Sequence, residues 1–113
     1  MLEMLGHEPD KLLLHVHPKD PSDTSLSHTE PLIGTNLSGE WHTIRMKWSP
    51  GDLRFSVNGN EIWRVSGDIV PAEPMYLVMN LAVGGVYPGP PGSNTRFPAT
   101  FEIDYVRVTQ EAS

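Results

Sequence analysis

Proline and glycine punctuate this chain too often for long helices to form. Eleven prolines and ten glycines are spread through 113 residues. Each proline removes a backbone donor and each glycine weakens a helix interior, which leaves short segments joined by turns. Those segments alternate in character. From Trp41 to Trp48, Ile44, Met46 and Trp48 fall on one face of an extended chain, and Thr43, Arg45 and Lys47 fall on the other. This is the pattern of a half-buried strand. After the turn Ser49-Pro50-Gly51-Asp52, Leu53, Phe55 and Val57 form the apolar side of a second strand, and Asn58-Gly59 leads into a third over Glu61–Val65. Both residues of that last turn accept the positive φ that tight hairpins require, so the three strands are expected to form an antiparallel meander.

The rest of the chain reads in the same way. Met1–Leu5 is the tail of a strand ending at Gly6, and Lys11–His17 is a β-compatible run stopped by Pro18. Lys19–Glu40 is rich in Ser, Thr, Asp, Pro and Gly, with Leu32-Ile33 as its apolar pair, and is expected to be a long surface loop with one short strand. Met75–Val83 is apolar on both faces except at Asn80, as in a strand from the middle of a sandwich. A proline- and glycine-rich loop over Gly84–Pro98 then leads to a last strand, Thr100–Gln110. The expectation is an all-β, antiparallel β-sandwich forming a single domain over residues 1–113.

Composition narrows the function classes. With no cysteine, neither disulfides nor thiolate metal sites are available, and apolar burial must hold the fold. Fourteen acidic residues oppose eight basic ones, a net charge of -6, and no basic cluster forms along the chain, so nucleic acid and anionic membrane are poor partners. No apolar run approaches the ~20 residues of a membrane span, and the opening Met-Leu-Glu-Met-Leu-Gly lacks the regions of a signal peptide.

Several blocks, taken in order, resemble one enzyme family. They are Leu2-Glu3-Met4-Leu5-Gly6-His7-Glu8-Pro9, Trp41-His42-Thr43 with Trp48-Ser49-Pro50-Gly51, Val57-Asn58-Gly59, and Pro74-Met75-Tyr76-Leu77. Then come Asn80-Leu81-Ala82-Val83-Gly84-Gly85 with Pro88-Gly89-Pro90-Pro91, and Phe97-Pro98-Ala99-Thr100-Phe101-Glu102-Ile103-Asp104-Tyr105-Val106-Arg107-Val108. Together they resemble the C-terminal half of laminarinase-like members of glycoside hydrolase family 16, of the endo-β-1,3-glucanase type. The resemblance implies part of a concanavalin-like jelly roll, retaining hydrolysis of a β-glucan, a polysaccharide as partner, and an extracellular location. Open strand edges in half a sandwich would favour homo-oligomers.

The family's motif is Glu-x-Asp-x-(x)-Glu on one strand, with a nucleophile first and an acid/base last. Retaining hydrolysis needs two carboxyl groups roughly 5 to 5.5 Å apart, and alternate residues of a strand share a face. By this resemblance Glu3 falls on the acid/base and Met1 and Leu2 on the spacers, while the aspartate and the nucleophile would fall before Met1. Glu8 is the nearest replacement carboxylate by position. The resemblance also implies substrate contacts from His17, Asn80 and Tyr87. On the residues alone, each of these has a plainer reading: a charged residue near a strand end for Glu3, a solvated imidazole for His17, a satisfied core amide for Asn80, and loop packing for Tyr87. Trp41, Trp48 and Trp63 read as core. His7, His15, His28 and His42 read as structural or surface residues, because no metal-ligand spacing links them. The aspartate matching Asp104 helps bind a structural calcium in relatives, with its other ligands largely outside this stretch. The expectation is therefore no cofactor and no metal site.

Overall fold

A computed structural model describes residues 1–20 and 22–111. They fall into two compact units, Met1–Met75 and Tyr76–Ser113.

The first unit contains six strands: β1 (Leu2–Glu3), β2 (Lys11–Val16), β3 (Leu26–Pro31), β4 (Ile44–Ser49), β5 (Asp52–Val57) and β6 (Asn60–Ser66). They form two three-stranded antiparallel sheets, ordered β1-β2-β3 and β4-β5-β6. Alternation decides how the sheets meet. Leu12, Leu14 and Val16 point inward from β2, and Leu53, Phe55 and Val57 point inward from β5. With Val65 and Val70 they make one buried cluster, against which Leu2, Leu32, Leu37, Ile62, Trp63 and Ile69 pack. Two apolar faces closed on each other in this way are a β-sandwich. Trp63 stacks on Phe55 at 5.9 Å and on His28 of β3 at 5.6 Å, so an aromatic column joins the two sheets.

The meander follows the expected register, with Met46 opposite Phe55 and Phe55 opposite Trp63. An irregularity between Phe55 and Ser56 gives β6 one extra residue, Ile62, which turns toward the core. Asn58 (φ 50) and Gly59 (φ 85) form the two-residue turn in the left-handed region. The Asn58 side chain does more than turn the chain. Its Oδ1 accepts from the Thr43 backbone N–H at 3.0 Å, and its Nδ2 donates to His42 Nδ1 at 3.0 Å. His42 Nε2 in turn donates to the Asn36 carbonyl at 2.9 Å. Replacing Asn58 with alanine removes two side-chain bonds and leaves positive φ to a residue that adopts it less readily than asparagine. We expect a loss of about 1–2 kcal/mol, measured by urea denaturation.

The strand expected within Lys19–Glu40 is present, and two other expectations are revised. The loop over Lys19–Glu40 contains a full six-residue strand, β3, although its sequence Leu-Ser-His-Thr-Glu-Pro lacks an apolar face. As an outermost strand it borrows order from β2 through backbone bonds. The face carrying Ile44, Met46 and Trp48 is continuous with that of β5 but exposed, because β4 is an edge strand that the facing sheet leaves uncovered. Trp41 is 66% exposed and outside the core, whereas Trp48 anchors its indole N–H on the Pro71 carbonyl at 2.7 Å. Finally, Met75–Val83 and Thr100–Gln110 contain no strand among the described residues. An apolar run becomes a strand only when its backbone groups find a ladder partner, and neither run has one here. The second unit is organised by turns: the Gly89 N–H donates to the Gly85 carbonyl at 3.0 Å, the Thr95 N–H to the Gly92 carbonyl at 3.1 Å, and Arg107 lies 5.6 Å over the Tyr105 ring.

On the outer face of the β4-β5-β6 sheet, Asp52 accepts from Arg64 Nε at 2.7 Å and from Arg54 Nε at 2.9 Å. The Arg64 bond, aided by Arg54, holds the Asp52 carboxyl below its ordinary 3.8. A depressed carboxyl contributes stability above its unfolded value and loses that contribution as pH falls through the folded one. Asp52→Asn should therefore be less stable than the parent at pH 7, and the gap should close below about pH 4, read from thermal melts across pH.

Candidate active site

Because Leu12, Leu14 and Val16 face inward, strand geometry sends Leu13 and His15 outward, with His17 following just past the strand end. β1 obeys the same rule. Leu2 lies opposite Leu14 and joins the core, whereas Glu3 lies opposite Leu13 and faces out. The His15 N–H donates to the Met1 carbonyl at 2.9 Å, which makes His15 the diagonal neighbour of Glu3, two positions along β2 from its partner Leu13 on the outer face.

This register brings three polar side chains into a row. Glu3 Oε2 lies 3.4 Å from His15 Nε2; the Glu3 side chain is 45% exposed and that of His15 22%. The rings of His15 and His17 stack at 6.0 Å with an interplanar angle of 17°. Both imidazoles are held from β3 and the loop before it: His15 Nδ1 contacts Ser27 Oγ at 2.8 Å, and His17 Nδ1 contacts Ser25 Oγ at 3.2 Å. Ser27 is the direct cross-strand neighbour of His15. The row is an open face of a sheet, a shape that an extended polymer can cross.

Glu3 and His17, both singled out from the sequence, therefore share this face. His15, read from the sequence as structural or surface, stands between them, and Ser27 and Ser25 were not singled out. A usable signal was present: leucines at 12 and 14 with Val16 on one face place residues 15 and 17 together on the other. Glu8 sits in the β1–β2 loop, its Oε1 3.0 Å from Lys11 Nζ. The hydrogen bond and charge of Lys11 hold its carboxyl below the ordinary 4.5. Asn80 and Tyr87 belong to the second unit. Asn80 is exposed, and Tyr87 is 72% exposed in a loop where Gly84 (φ 70) and Gly85 (φ 130) adopt conformations that side chains disfavour. Among the described residues no group of three or more His, Cys, Asp or Glu side chains could hold a metal ion. No helix among them is long and apolar enough to cross a membrane.

The first unit is thus an antiparallel sandwich with a carboxylate and imidazole row on one outer face, and sequence comparison assigns the family. The family model described as Beta-glucan synthesis-associated protein SKN1/KRE6/Sbg1 matches residues 40–113. A Beta-glucanase of Rhodothermus marinus is 28% identical over 129 residues, covering 96% of this chain and 42% of the relative. Glucan endo-1,3-beta-glucosidase A1 of Niallia circulans is 32% identical over 91 residues, covering 69% of this chain and 13% of the relative. The Clotting factor G alpha subunit of Tachypleus tridentatus is 30% identical over 105 residues, covering 87% and 15%. The chain belongs to glycoside hydrolase family 16, among its glucanase-like members. It spans less than half the length of these curated relatives. No solved structure matches it.

Proposed function

We propose that the outer face of the β1-β2-β3 sheet is the acid/base side of a cleft that hydrolyses internal β-1,3 bonds of a glucan, with retention of configuration. The observation that carries this reading is the Glu3 carboxylate, outward-facing and partly exposed, with one oxygen beside His15. In this scheme Glu3 gives a proton to the glycosidic oxygen of the leaving sugar and later takes one from the attacking water. The carboxylate that attacks the anomeric carbon belongs, by the family motif, to positions before Met1. His17 extends the row toward neighbouring sugar units, while Asn80 can bond sugar hydroxyls and Tyr87 can stack on a pyranose face. The glucan substrate is supported by two relatives named for glucan hydrolysis, the Rhodothermus marinus and Niallia circulans enzymes. Such polymers lie outside the cell, which favours an extracellular site of action.

Release of reducing ends from laminarin by the purified chain, with the product anomer followed by NMR, tests this reading. β-Anomer formed first supports retention, and α-anomer formed first overturns it. Saturable laminarin binding without any release would favour a second reading, sugar binding without cleavage. That alternative is motivated by the exposure of His17 and Tyr87, polar or aromatic side chains that could hold a glycan without reacting with it. Neither release nor binding at millimolar oligosaccharide would overturn both.

A further inference from the structure

We infer that His15 is a positioning residue that engages one oxygen of Glu3 and so reserves the other, Oε1, for the transferable proton. The inference rests on the reading of Glu3 as the acid/base. Glu3 Oε2 lies 3.4 Å from His15 Nε2, and because a carboxylate oxygen only accepts, this proximity favours the ring form with its hydrogen on Nε2. Nδ1 is then left to Ser27 Oγ at 2.8 Å. A hydroxyl both donates and accepts: Ser27 donates to Nδ1 of a neutral ring and accepts from it when the ring is charged. The ring orientation is thus held in either protonation state, and Nε2–H points at Glu3 in both.

The consequence concerns which oxygen is the acid. When Glu3 takes up its proton, Oε2 already faces a donor, so the proton sits on Oε1. From there it passes to the glycosidic oxygen as the bond to the anomeric carbon breaks and the electron pair stays on the departing sugar. The His17 ring, stacked 6.0 Å away, limits the tilt of the His15 ring on its free side. His15, Ser27 and Glu3 come from three adjacent strands of one sheet, so the alignment is set by backbone register and not by a loop.

The experiment uses His15→Ala, His15→Gln, Ser27→Ala and Glu3→Gln in the full chain. Two substrates separate positioning of the acid from general damage: laminarin, whose leaving sugar needs a proton, and a laminari-oligosaccharyl fluoride, whose fluoride departs with little help from one. His15→Ala should lower kcat on laminarin roughly 10- to 100-fold, with KM and fluoride turnover within about 3-fold of the parent. His15→Gln, which keeps a side-chain N–H donor, should recover part of the loss. In the Glu3→Gln background, His15→Ala should cost nothing further, because the two act as one unit. Equal losses on both substrates, or no loss on laminarin, would overturn the inference.

A long-range 1H–15N spectrum of the imidazoles near pH 8.5, well above the ordinary histidine value of about 6.5, gives a readout independent of activity. His15 should be the Nε2–H tautomer, becoming mixed in Ser27→Ala. An Nδ1–H ring in the parent overturns the inference. Should Glu3→Gln match the parent on laminarin, or the parent hydrolyse nothing, the acid/base reading is what fails. The spectrum then still decides the contact, upheld by an Nε2–H ring that becomes mixed in Glu3→Ala, which removes the acceptor, and sunk by one that does not.

Discussion

Glu3→Gln should lower reducing-end release from laminarin by about 100-fold or more, the usual scale for removing a positioned general acid. Glutamine has nearly the same shape, and its amide oxygen can still accept from His15 Nε2, so the row on the outer face keeps its geometry. What disappears is the transferable proton. The side chain is 45% exposed and outside the core, so folding stability should change by no more than about 0.5 kcal/mol. An unchanged melting temperature with activity nearly abolished would separate chemistry from folding. A variant as active as the parent would remove Glu3 from the mechanism.

The largest effect on stability is expected at Leu14, which is 0% exposed at the centre of the inner face. It is flanked by Leu12 and Val16 along β2, sits opposite Leu2 and His28 on the adjoining strands, and belongs to the cluster containing Phe55 and Val57. Alanine there removes buried methyl groups and leaves a cavity that two hydrogen-bonded sheets cannot easily close. The loss should be about 3–4 kcal/mol in urea denaturation. Against a typical total of about 5–15 kcal/mol, that is a large share. Leu13→Ala, one residue away on the outer face, should cost about 1 kcal/mol or less. Similar losses at 13 and 14 would contradict the assignment of inner and outer faces.

Those two leucines also show why much of the first unit was legible in the sequence. Period-two alternation is a local signal, and wherever one face is buried it determines both the strand and its orientation. The β4-β5-β6 meander and the Asn58-Gly59 turn follow from such signals. β3 does not, because it has no apolar face and owes its order to bonding with β2. Exposure of Ile44, Met46 and Trp48 was equally illegible, since alternation says which residues share a face but not whether anything covers it. In Met75–Val83 and Thr100–Gln110 the apolar content was read as strand, yet strand formation depends on partners that composition does not specify. The candidate site divides in the same way. Glu3 and His17 were singled out through the family's motif and strand-end position, whereas the contacts of His15 with Ser27 and Glu3 depend on cross-strand register.

β3 ends at Pro31, opposite Lys11 of β2. The next residue, Leu32, points its N–H toward β2, donating to the Asp10 carbonyl at 2.8 Å. Counting back by twos, the N–H groups of Glu30 and His28 also point inward, while positions 27, 29 and 31 address the outer margin. At position 31 that margin has no hydrogen to offer. A foreign strand approaching along β3 could be met by Ser27 and Thr29 but would find its own carbonyl unanswered at Pro31. The docking ladder would stop after two rungs from this side, so an otherwise polar and accessible margin is a poor seed for fibrillar stacking.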